Sequence, residues 1–356
     1  MKWPIRSFGE VVINRDSQRI PLKQADRLQK QGDYPYYGAS GIIDHVDEYL
    51  FDGEFLLIGE DGANLLARSS PIAFIARDKF WVNNHAHIVE ATEYSDLKYL
   101  RYFFQTVDLK PYVTGSAQPK LNRKNLDRIP IPLPPLTEQK RIAAILDKAD
   151  GVRRKRQEAI RLTEELLRAR FLDMFGDPVT NPKGWDLKEL GDILDFKTGK
   201  LDSNAAIEGG VYPFFTCSRV PFQIDSYAFD CEALLLAGNN ANADYWVKHY
   251  SGKFNAYQRT YVLTTKNQDH SYTYFQKTLE LRLNELKRSS KGTNTKYLTL
   301  AILKPIKVQI PPLSLQEKYE EFCQKIYSQV NQADKALNES ENLFNSLLKR
   351  AFRGEL

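Results

Sequence analysis

Two glycine-containing loops of the 356-residue chain carry the kinds of side chain that contact nucleic acid. They lie at residues 114–124 and 288–296, and each combines glycine with hydroxyl, amide and basic groups. Backbone N–H groups, hydroxyls and Lys or Arg contact phosphates, and Gln or Asn can bind adenine through two hydrogen bonds. The alternative is a solvated loop that only turns the chain into its next strand, and both interpretations stay open. The candidate DNA-contacting residues of the loops are Ser116, Gln118, Lys120, Asn122, Lys291, Thr293, Asn294 and Lys296.

Two further polar segments are rich in hydrogen-bond donors. They lie at residues 83–87 and 257–261 and align with each other at an offset of 174. Their residue types differ, which suits two lobes that share one scaffold and prefer different bases. The alternative is hydrogen bonding within the sheet of each lobe. The candidates here are Asn83, Asn84, His85, His87, Tyr257, Gln258 and Arg259.

No catalytic motif accompanies these segments. The sequence lacks G-x-x-x-x-G-K-[ST], and no G-x-G-x-x-G follows a predicted strand, so nothing predicts a nucleotide or S-adenosylmethionine pocket. Strand alternation would place His85 and His87 on one face, but no Cys or third His lies nearby to complete a metal site. We therefore predict no catalytic residue and no metal ligand in this chain.

The structural elements that must position these segments occur twice along the chain. Each copy begins with mixed β structure rich in Tyr, Phe, Val and Ile, and ends in a helical segment. Landmarks recur in one order and at nearly constant spacing, so the chain is a tandem duplication. Residues 34–37, 56–58 and 134–139 recur at 212–215, 234–236 and 311–316, at offsets of 178, 178 and 177.

Each copy ends in a long segment with helical periodicity. Residues 137–175 contain no Pro and one Gly, and residues 314–352 contain neither. Apolar residues recur at steps of three and four, so we expect two helices, each of about 38 residues and ~57 Å, that pair along a coiled-coil seam. The predicted stripe of the first helix is Ile142, Ile145, Ala149, Val152, Ala159, Leu166 and Met174.

The composition sets the class of protein. At 42% hydrophobic and 27% charged, the chain can build cores, and its net charge of +5 tolerates a polyanionic partner without proving one. Three cysteines without a C-x-x-C pair resemble reduced cytosolic thiols, and we expect neither signal peptide nor membrane span. We therefore predict an intracellular α+β protein, with two mixed α/β lobes separated by two long antiparallel coiled-coil helices in a pseudo-two-fold tandem repeat.

The proline segment before the first helix resembles a family signature. Residues 132–142 read P-L-P-P-L-T-E-Q-K-R-I, similar to the I-P-L-P-P-L-x-E-Q signature of specificity (S) subunits of type I restriction–modification enzymes. Residues 114–122 look like their G-S-x-Q-x-x-L loop, and residues 83–87 look like a frequent target-recognition segment. The resemblance covers the whole chain. The second copy departs from it, with Leu315 where the first has Glu138.

The resemblance implies a non-catalytic DNA-specificity subunit. Target-recognition domains would occupy residues 1–135 and, with a linker, 177–313, and conserved spacer helices would occupy 136–176 and 314–356. Each domain would recognise one half of a bipartite, asymmetric site in double-stranded DNA. The helices would fix the gap and dock two methyltransferase (M) subunits, through which the motor–nuclease (R) subunits join. S-adenosylmethionine, ATP and Mg²⁺ would be bound by these partners and none by this chain, in a bacterial or archaeal cytoplasm and without membrane contact.

Two other classes of function stay open at this point. One is a recognition chain associated with a DNA methyltransferase or nuclease that hides catalytic activity, and the missing motifs argue against it. The other is a duplicated coiled-coil scaffold with no DNA role. A methylation assay on the purified chain with S-adenosylmethionine tests the first, and failure to bind any duplex at low salt would favour the second.

Overall fold

The computed structural model describes residues 3–115, 118–267 and 269–356. The chain forms two compact units, Met1–Gln157 with Lys335–Leu356 (unit 1) and Glu158–Asp334 (unit 2). Each unit therefore combines one lobe with parts of both C-terminal helical segments of the repeat. Among the described residues, no helix is both long enough and apolar enough to cross a membrane.

The first half of the chain alternates short strands and helices before its long helix. Its strands are β1 (Ile5–Ser7), β2 (Val12–Asn14), β3 (Tyr34–Gly38), β4 (Gly41–Val46), β5 (Phe51–Asp52), β6 (Phe55–Gly59), β7 (Ala73–Ala76), β8 (Lys79–Val82), β9 (Ala86–Ala91) and β10 (Pro130–Pro132). Its helices are α1 (Phe8–Val11), α2 (Gln24–Gln29), α3 (Asn64–Ala67), α4 (Leu97–Thr106), α5 (Arg123–Asp127) and α6 (Leu136–Phe175).

The second half repeats this order with small variations. Its strands are β11 (Leu187–Glu189), β12 (Leu194–Thr198), β13 (Tyr212–Phe215), β14 (Phe222–Ile224), β15 (Phe229–Ala237), β16 (Asn239–Asn240), β17 (Val247–Ala256), β18 (Thr260–Thr265), β19 (Lys296–Tyr297) and β20 (Lys307–Gln309). Its helices are α7 (Leu190–Ile193), α8 (Tyr272–Leu281), α9 (Leu283–Ser289), α10 (Leu300–Leu303) and α11 (Leu313–Arg353).

Unit 1 is built on two four-stranded sheets, with strand orders β2-β9-β6-β7 and β4-β3-β8-β5. Every residue of the central strand β6 is buried. Leu56 and Ile58 pack in the core that includes α4, whereas Leu57 packs with Phe80 and Ile88 in a second core. Because successive side chains of a strand point to opposite faces, β6 is covered on both sides, which explains its continuous apolar run.

Unit 2 contains a six-stranded sheet with the order β12-β18-β15-β17-β13-β14. Its central strand β15 repeats the pattern of β6, since Leu234 and Leu236 pack in the core with Tyr274 while Leu235 packs with Trp246 in another core. Strand β13 pairs in parallel with β17, as β3 does with β8. The structure confirms the predicted duplication of a mixed α/β lobe.

The two long helices pack against each other in antiparallel directions within each unit. In unit 1, Leu146 near the start of α6 shares a core with Phe344 and Leu348 near the end of α11. In unit 2, Phe171 near the end of α6 meets Tyr319 near the start of α11, with ring centroids 5.3 Å apart. Early residues of one helix therefore meet late residues of the other.

The predicted apolar stripe of α6 is wrong at three positions. Val152 and Leu166 are 42% and 49% exposed, and Ala159 is also exposed. Leu167 and Phe171 are buried instead. At the C-terminal end of α6, the buried face packs against the aromatic core of unit 2 as well as against α11, so it differs from a simple two-helix seam. Val152 instead lines an open groove between the two helices in unit 1.

Two buried glutamines fasten the long helices to their lobes. Gln139 Oε1 accepts a hydrogen bond from the backbone N–H of Asp96 at 2.9 Å, and its Nε2 donates to the carbonyl of Pro134 at 2.8 Å. Gln316 accepts from the N–H of Ser271 at 3.0 Å and donates to a proline carbonyl at 2.8 Å. Both glutamines are fully buried. Because Asp96 and Ser271 are the N-caps of α4 and α8, each glutamine joins the starts of two helices.

Replacing Gln139 by leucine should destabilise unit 1. The change leaves the N–H of Asp96 and the carbonyl of Pro134 without their partner, which is expected to lower the free energy of unfolding by about 1–3 kcal/mol. Urea unfolding followed by circular dichroism measures it. Gln105→Leu is the matched control because Gln105 is exposed. Equal stability of the two variants would contradict a fastening role.

Candidate nucleic-acid interface

The two candidate loops have the same backbone closure. In unit 1 the backbone groups of Thr114 and Lys120 exchange two hydrogen bonds of 2.8 Å. In unit 2 Lys291 and Tyr297 exchange two hydrogen bonds of 3.0 and 2.9 Å. Both closures are antiparallel bridges at equivalent positions of the repeat. The loops are therefore one structural feature present twice.

Each loop depends on the glycine that follows its first closing residue. Gly115 and Gly292 have φ angles of 84° and 97°, a region that side chains rarely adopt. A Cβ on Gly115 would lie 2.6 Å from the carbonyl oxygen of Gln118, and a Cβ on Gly292 would overlap that of Thr295. Only glycine therefore fits either position without moving the loop backbone.

The end of a buried strand anchors each loop beside a turn. The Glu60 carbonyl accepts from Leu121 N at 2.7 Å, and Glu60 N donates to the His85 carbonyl at 2.8 Å. Gly238 makes the two equivalent bonds in unit 2, both at 2.8 Å. Strand end, turn and loop thus form one continuous surface in each unit. We call them polar surface 1 (residues 60–62, 83–87, 114–115 and 118–122) and polar surface 2 (residues 238–240, 257–261 and 291–298).

The turns present different side chains in the two units. Asn84 and His85 are exposed in the turn between β8 and β9, and Gln258 and Arg259 are exposed in the turn between β17 and β18. The structure therefore brings these four predicted residues beside the loops, at equivalent places of the two units.

Carboxylates hold one side chain of each turn. His85 Nδ1 lies 2.8 Å from Asp61 Oδ2, and Gln258 Nε2 donates to Asp202 Oδ2 at 3.1 Å. The Asn84 amide and the Arg259 guanidinium have no hydrogen-bond or ion-pair partner within the part of the chain that the structure describes. Both can therefore bind a ligand without first breaking an internal contact.

Asn83 shapes its turn from the inside. Its side chain is buried, and Oδ1 accepts from His85 N at 2.8 Å. Its own N–H donates to the Tyr37 carbonyl at 3.0 Å, and Tyr257 N donates to the Phe215 carbonyl at 2.9 Å. The side chain of Asn83 is therefore used in the fold, and its contact with DNA stays a prediction. Tyr257 is half-buried, and its role stays a prediction.

His87 also has a structural role, and its contact with DNA stays a prediction. Its side chain is 1% exposed, with Nδ1 2.6 Å from Asp16 Oδ2 and Nε2 2.7 Å from the carbonyl of Leu121. Burial acts to raise the pKa of Asp16, but the hydrogen bonds and charge of its neighbours, His87 foremost, hold that pKa below its ordinary value. His87 thus supports the loop from the core side, through its contact with the Leu121 carbonyl.

Tyr261 performs the same task in unit 2. Its hydroxyl donates to the carbonyl of Leu298 at 3.0 Å, at the position where His87 meets the carbonyl of Leu121. The side-chain types differ, yet both brace the residue that ends the loop. The two units therefore share the hydrogen bond that supports the loop, although they make it with different side chains.

The expected arrangement of two imidazoles on one strand face is wrong. Strand β9 begins at Ala86, so His85 belongs to the turn while His87 points into the core. Across the described residues, no group of three or more His, Cys, Asp or Glu side chains is arranged to hold a metal ion.

The remaining residues of the first loop divide between exposed and structural roles. Gln118 is exposed, and Lys120 is half-exposed with Nζ 3.2 Å from Glu60 Oε1. Asn122 is the N-cap of α5, where Oδ1 accepts from the backbone N–H of Asn125 at 3.0 Å, so its side-chain oxygen serves the fold instead of a ligand. Ser116 lies outside the described residues.

The second loop presents polar side chains to solvent. Lys291, Thr293 and Asn294 are exposed, and Lys296 is partly buried in strand β19, which pairs with β16. Backbone geometry therefore places these four candidates on polar surface 2, and their contact with DNA stays a prediction.

Sequence reasoning missed the residues at the strand ends. Glu60 and Asp61 lie at the centre of polar surface 1, and Gly238 and Asn239 occupy the equivalent places on polar surface 2. The recurrence of residues 61–63 at 239–241 was the available signal. Because polar surface 1 has two acidic residues where polar surface 2 has two neutral ones, the two surfaces differ in charge and in the hydrogen bonds that they can make.

The long helices leave an apolar groove open in unit 1. Its volume is about 470 Å³. Val152 and Leu343 on its rim are 42% and 57% exposed, and in unit 2 Leu162 and Leu166 of α6 are 50% and 49% exposed. Exposed apolar patches of this kind mark interaction surfaces. The apolar lining of the groove is Ile145, Ala149, Val152, Leu343 and Leu347.

Comparison with known proteins gives one consistent family. The family model described as the type I restriction modification DNA specificity domain matches residues 1–162 and 182–341. The chain is 30% identical over 233 residues to a putative type I restriction enzyme specificity subunit, S.HindORF215P of Haemophilus influenzae, covering 64% of this chain and 59% of that protein. It is 35% identical over 179 residues to the EcoDI specificity subunit of Escherichia coli, covering 49% and 39%.

The alignments with these two relatives span less than two thirds of their length. A longer alignment, 24% identical over 384 residues, covers 91% of this chain and 87% of the MjaIX specificity subunit of Methanocaldococcus jannaschii. Among solved structures, the fold resembles a type I restriction–modification S subunit from M. genitalium, with a TM-score of 0.71 and 16% identity over 99% of this chain and 96% of that one.

Proposed function

The chain belongs to the family of type I restriction modification DNA specificity domains, and we propose that it recognises a bipartite, asymmetric site in double-stranded DNA without catalysing a reaction. Each polar surface reads one half of the site. The observation that carries this proposal is that one arrangement of strand end, turn and glycine loop is built twice, with different exposed side chains each time.

The exposed side chains suit readout of base edges. Asn84 and Gln118 in unit 1 carry amides, which bind adenine through two hydrogen bonds. Arg259 in unit 2 carries a guanidinium, which binds guanine in the same two-point manner. Because the two surfaces differ in side-chain chemistry, the two half-sites differ in sequence, and the whole site is asymmetric.

The long helices supply the gap between the half-sites and a docking face for partners. The apolar groove of unit 1 and the exposed leucines of α6 support docking of two methyltransferase subunits, through which motor–nuclease subunits join. In this proposal those partners bind S-adenosylmethionine, ATP and Mg²⁺, and the present chain contributes sequence recognition and assembly.

The test is methylation by the reconstituted complex. The chain is purified alone and with the methyltransferase subunit of its host system, and each sample receives S-adenosylmethionine and plasmid DNA. We expect methylation only from the complex, at one motif of two defined halves separated by a gap. Methylation by the isolated chain would favour hidden catalytic activity. Methylation whose motif is unchanged when this chain is omitted would favour a scaffold without a DNA role.

Lys120 should contribute to affinity but little to sequence preference. Removing a lysine that contacts phosphate weakens binding to all sequences about equally. It also reduces the slope of log K against log salt concentration by about one. Lys120→Gln keeps a long polar side chain, one atom shorter, and removes its charge. Competition gel shifts with half-site variants measure the effect, and a loss confined to one sequence would contradict a phosphate contact. Gln118→Ala is the contrasting variant, expected to relax one half-site.

A further inference from the structure

A polar pocket with a volume of about 670 Å³ flanks polar surface 2. We call it the lysine pocket, and it is lined by residues 197–201, 226 and 228–229 and by Asn255 of strand β17. Its first segment is joined to the turn between β17 and β18. Gln258 N donates to the Leu201 carbonyl at 3.0 Å, and Gln258 Nε2 donates to Asp202 Oδ2 at 3.1 Å. The pocket therefore lies directly beside the turn that is proposed to read the half-site of unit 2.

Two lysines of this pocket carry unpaired charge. Lys197 and Lys200 are exposed, and neither has a carboxylate within 4.0 Å among the residues that the structure describes. Of the same residues, no Asp or Glu lines the pocket, although Asp225 and Asp230 flank its second segment. The hydroxyl-bearing Thr198 is also exposed. The pocket therefore offers positive charge and hydrogen-bond donors to a ligand.

The equivalent basic residue of unit 1 is already paired. An offset of 182 between the repeats places Lys197 where unit 1 has Arg15. Arg15 Nη2 lies 2.9 Å from Glu90 Oε2, whereas the strand registers place Thr264 where unit 1 has Glu90. Unit 2 therefore keeps the basic group and lacks its acidic partner.

A smaller side chain opens the pocket in unit 2. The parallel strand pairings place Asn255 where unit 1 has Trp81. Trp81 lies against the segment equivalent to residues 197–202, since its Nε1 donates to the Ile20 carbonyl at 2.6 Å. Asn255 is 4% exposed, and within the described ranges its Nδ2 donates only to the Ser226 carbonyl, at 3.3 Å. One amide hydrogen of Asn255 is therefore left for a ligand in the pocket.

The donors of the lysine pocket are those that contact phosphate oxygens, namely ammonium groups, a hydroxyl and an amide N–H. We propose that the pocket binds a phosphate group of the DNA backbone beside the half-site that unit 2 reads. Lys197 and Lys200 neutralise the phosphate, whereas Arg15 in unit 1 is held by Glu90 and makes no such contact. This inference rests on the proposed function and adds that unit 2 supplies phosphate binding which unit 1 lacks at the equivalent place.

The salt dependence of DNA binding tests this proposal. Lys197→Gln, Lys200→Gln and the double variant are each assembled with the methyltransferase subunit, and gel shifts on the specific duplex are run from about 50 to 200 mM salt. Each lost lysine–phosphate contact reduces the slope of log K against log salt concentration by about one, so we expect a reduction of about two for the double variant. Its affinity deficit should therefore shrink about tenfold across this range, and its methylation motif should stay unchanged.

Two control variants change charge elsewhere. Lys188→Gln combined with Lys307→Gln removes two exposed lysines from the separate sheet of β11 and β20, and should leave the slope as in the unmodified complex. Arg15→Gln should change the slope by less than Lys197→Gln, because Glu90 already neutralises Arg15. Native mass spectrometry checks that all complexes have the same subunit composition. A slope reduced as much by Arg15→Gln as by Lys197→Gln would contradict the difference between the units.

A free phosphate ion has the same chemistry as the DNA backbone, and a second measurement separates the two sources. Thermal unfolding of the full chain is compared in sodium phosphate and in sodium chloride of equal ionic strength. Stabilisation by phosphate that the double variant loses, together with an unchanged salt slope for DNA, would assign the lysine pocket to a free ion and overturn the DNA contact.

The outcomes also separate this inference from the proposed function. Equal slopes for the unmodified complex and the double variant overturn the phosphate contact, while a bipartite methylation motif from those complexes leaves the specificity function standing. An unmodified complex that binds no duplex overturns both.

Discussion

Adding four residues to both long helices should lengthen the gap of the methylated DNA site by about two base pairs and leave both half-sites unchanged. Four residues add ~6 Å at 1.5 Å per residue, close to two base-pair rises of ~3.4 Å. The additions are placed after Glu164 in α6 and after Ser328 in α11, both exposed, because the helices are antiparallel and unequal lengths would leave one unpaired. Four residues also complete close to one turn, so the buried faces stay within about 40° of their original direction.

The matched control adds the same four residues outside the helices, after Thr180 in the exposed linker. Exposed surface turns tolerate such additions at small cost, and we expect the gap to stay as it was. Sequencing of methylated bases in the host genome reads the gap directly. An unchanged gap after the helix additions, with both half-sites still recognised, would show that the helices do not set the spacing.

Replacing Gly115 by alanine should lower affinity for the specific site by about 10- to 100-fold, because a side chain at this φ costs about 1–3 kcal/mol and shifts the loop. The new Cβ would lie 2.6 Å from the Gln118 carbonyl oxygen. Gly292→Ala should have a comparable effect through the loop of unit 2. Binding is measured by gel shift on the motif that the methylation experiment identifies. Thermal unfolding of the same variants measures the strain left in the loop, which should lower the free energy of unfolding by no more than about 1–3 kcal/mol.

Gly151→Ala is the control for the glycine variants. Gly151 lies inside α6 with no atom within 4 Å of an added Cβ, so alanine should stabilise the helix by about 0.5–1 kcal/mol and leave DNA binding unchanged. If Gly115→Ala bound the specific site as tightly as Gly151→Ala, the loop would not belong to the DNA-contacting surface.

Much of the fold could be predicted because the chain is duplicated. Recurring landmarks defined the two lobes, and the unbroken helical periodicity indicated two long helices, here Leu136–Phe175 and Leu313–Arg353. The buried face of α6 could not be predicted from that periodicity. Residues such as Phe171 and Phe175 pack against Tyr274 of the lobe, and a pattern within one helix does not reveal which neighbour covers it.

The sequence predicted which segments form the candidate site, but not which of their side chains are exposed. The glycine loops and the polar turns do lie together, because Glu60 and Gly238 tie them to the same strand ends. Polarity alone does not distinguish an exposed donor such as Arg259 from a buried one such as His87, since both occur in donor-rich segments. The distinction depends on where the strand begins, and that is a tertiary property which a single polar run does not encode.

In the proposed function, the two units read separate halves of one DNA site. Methylated-base sequencing of the host carrying Asn84→Ala or Arg259→Ala tests it most directly, because each side chain is exposed on one polar surface only. Each change should cost about 1–3 kcal/mol of base discrimination and relax one position. We expect the two variants to relax positions in different halves of the motif and to leave the gap intact. Relaxation of the same half by both variants, or of neither half by either, would contradict separate recognition by the two units.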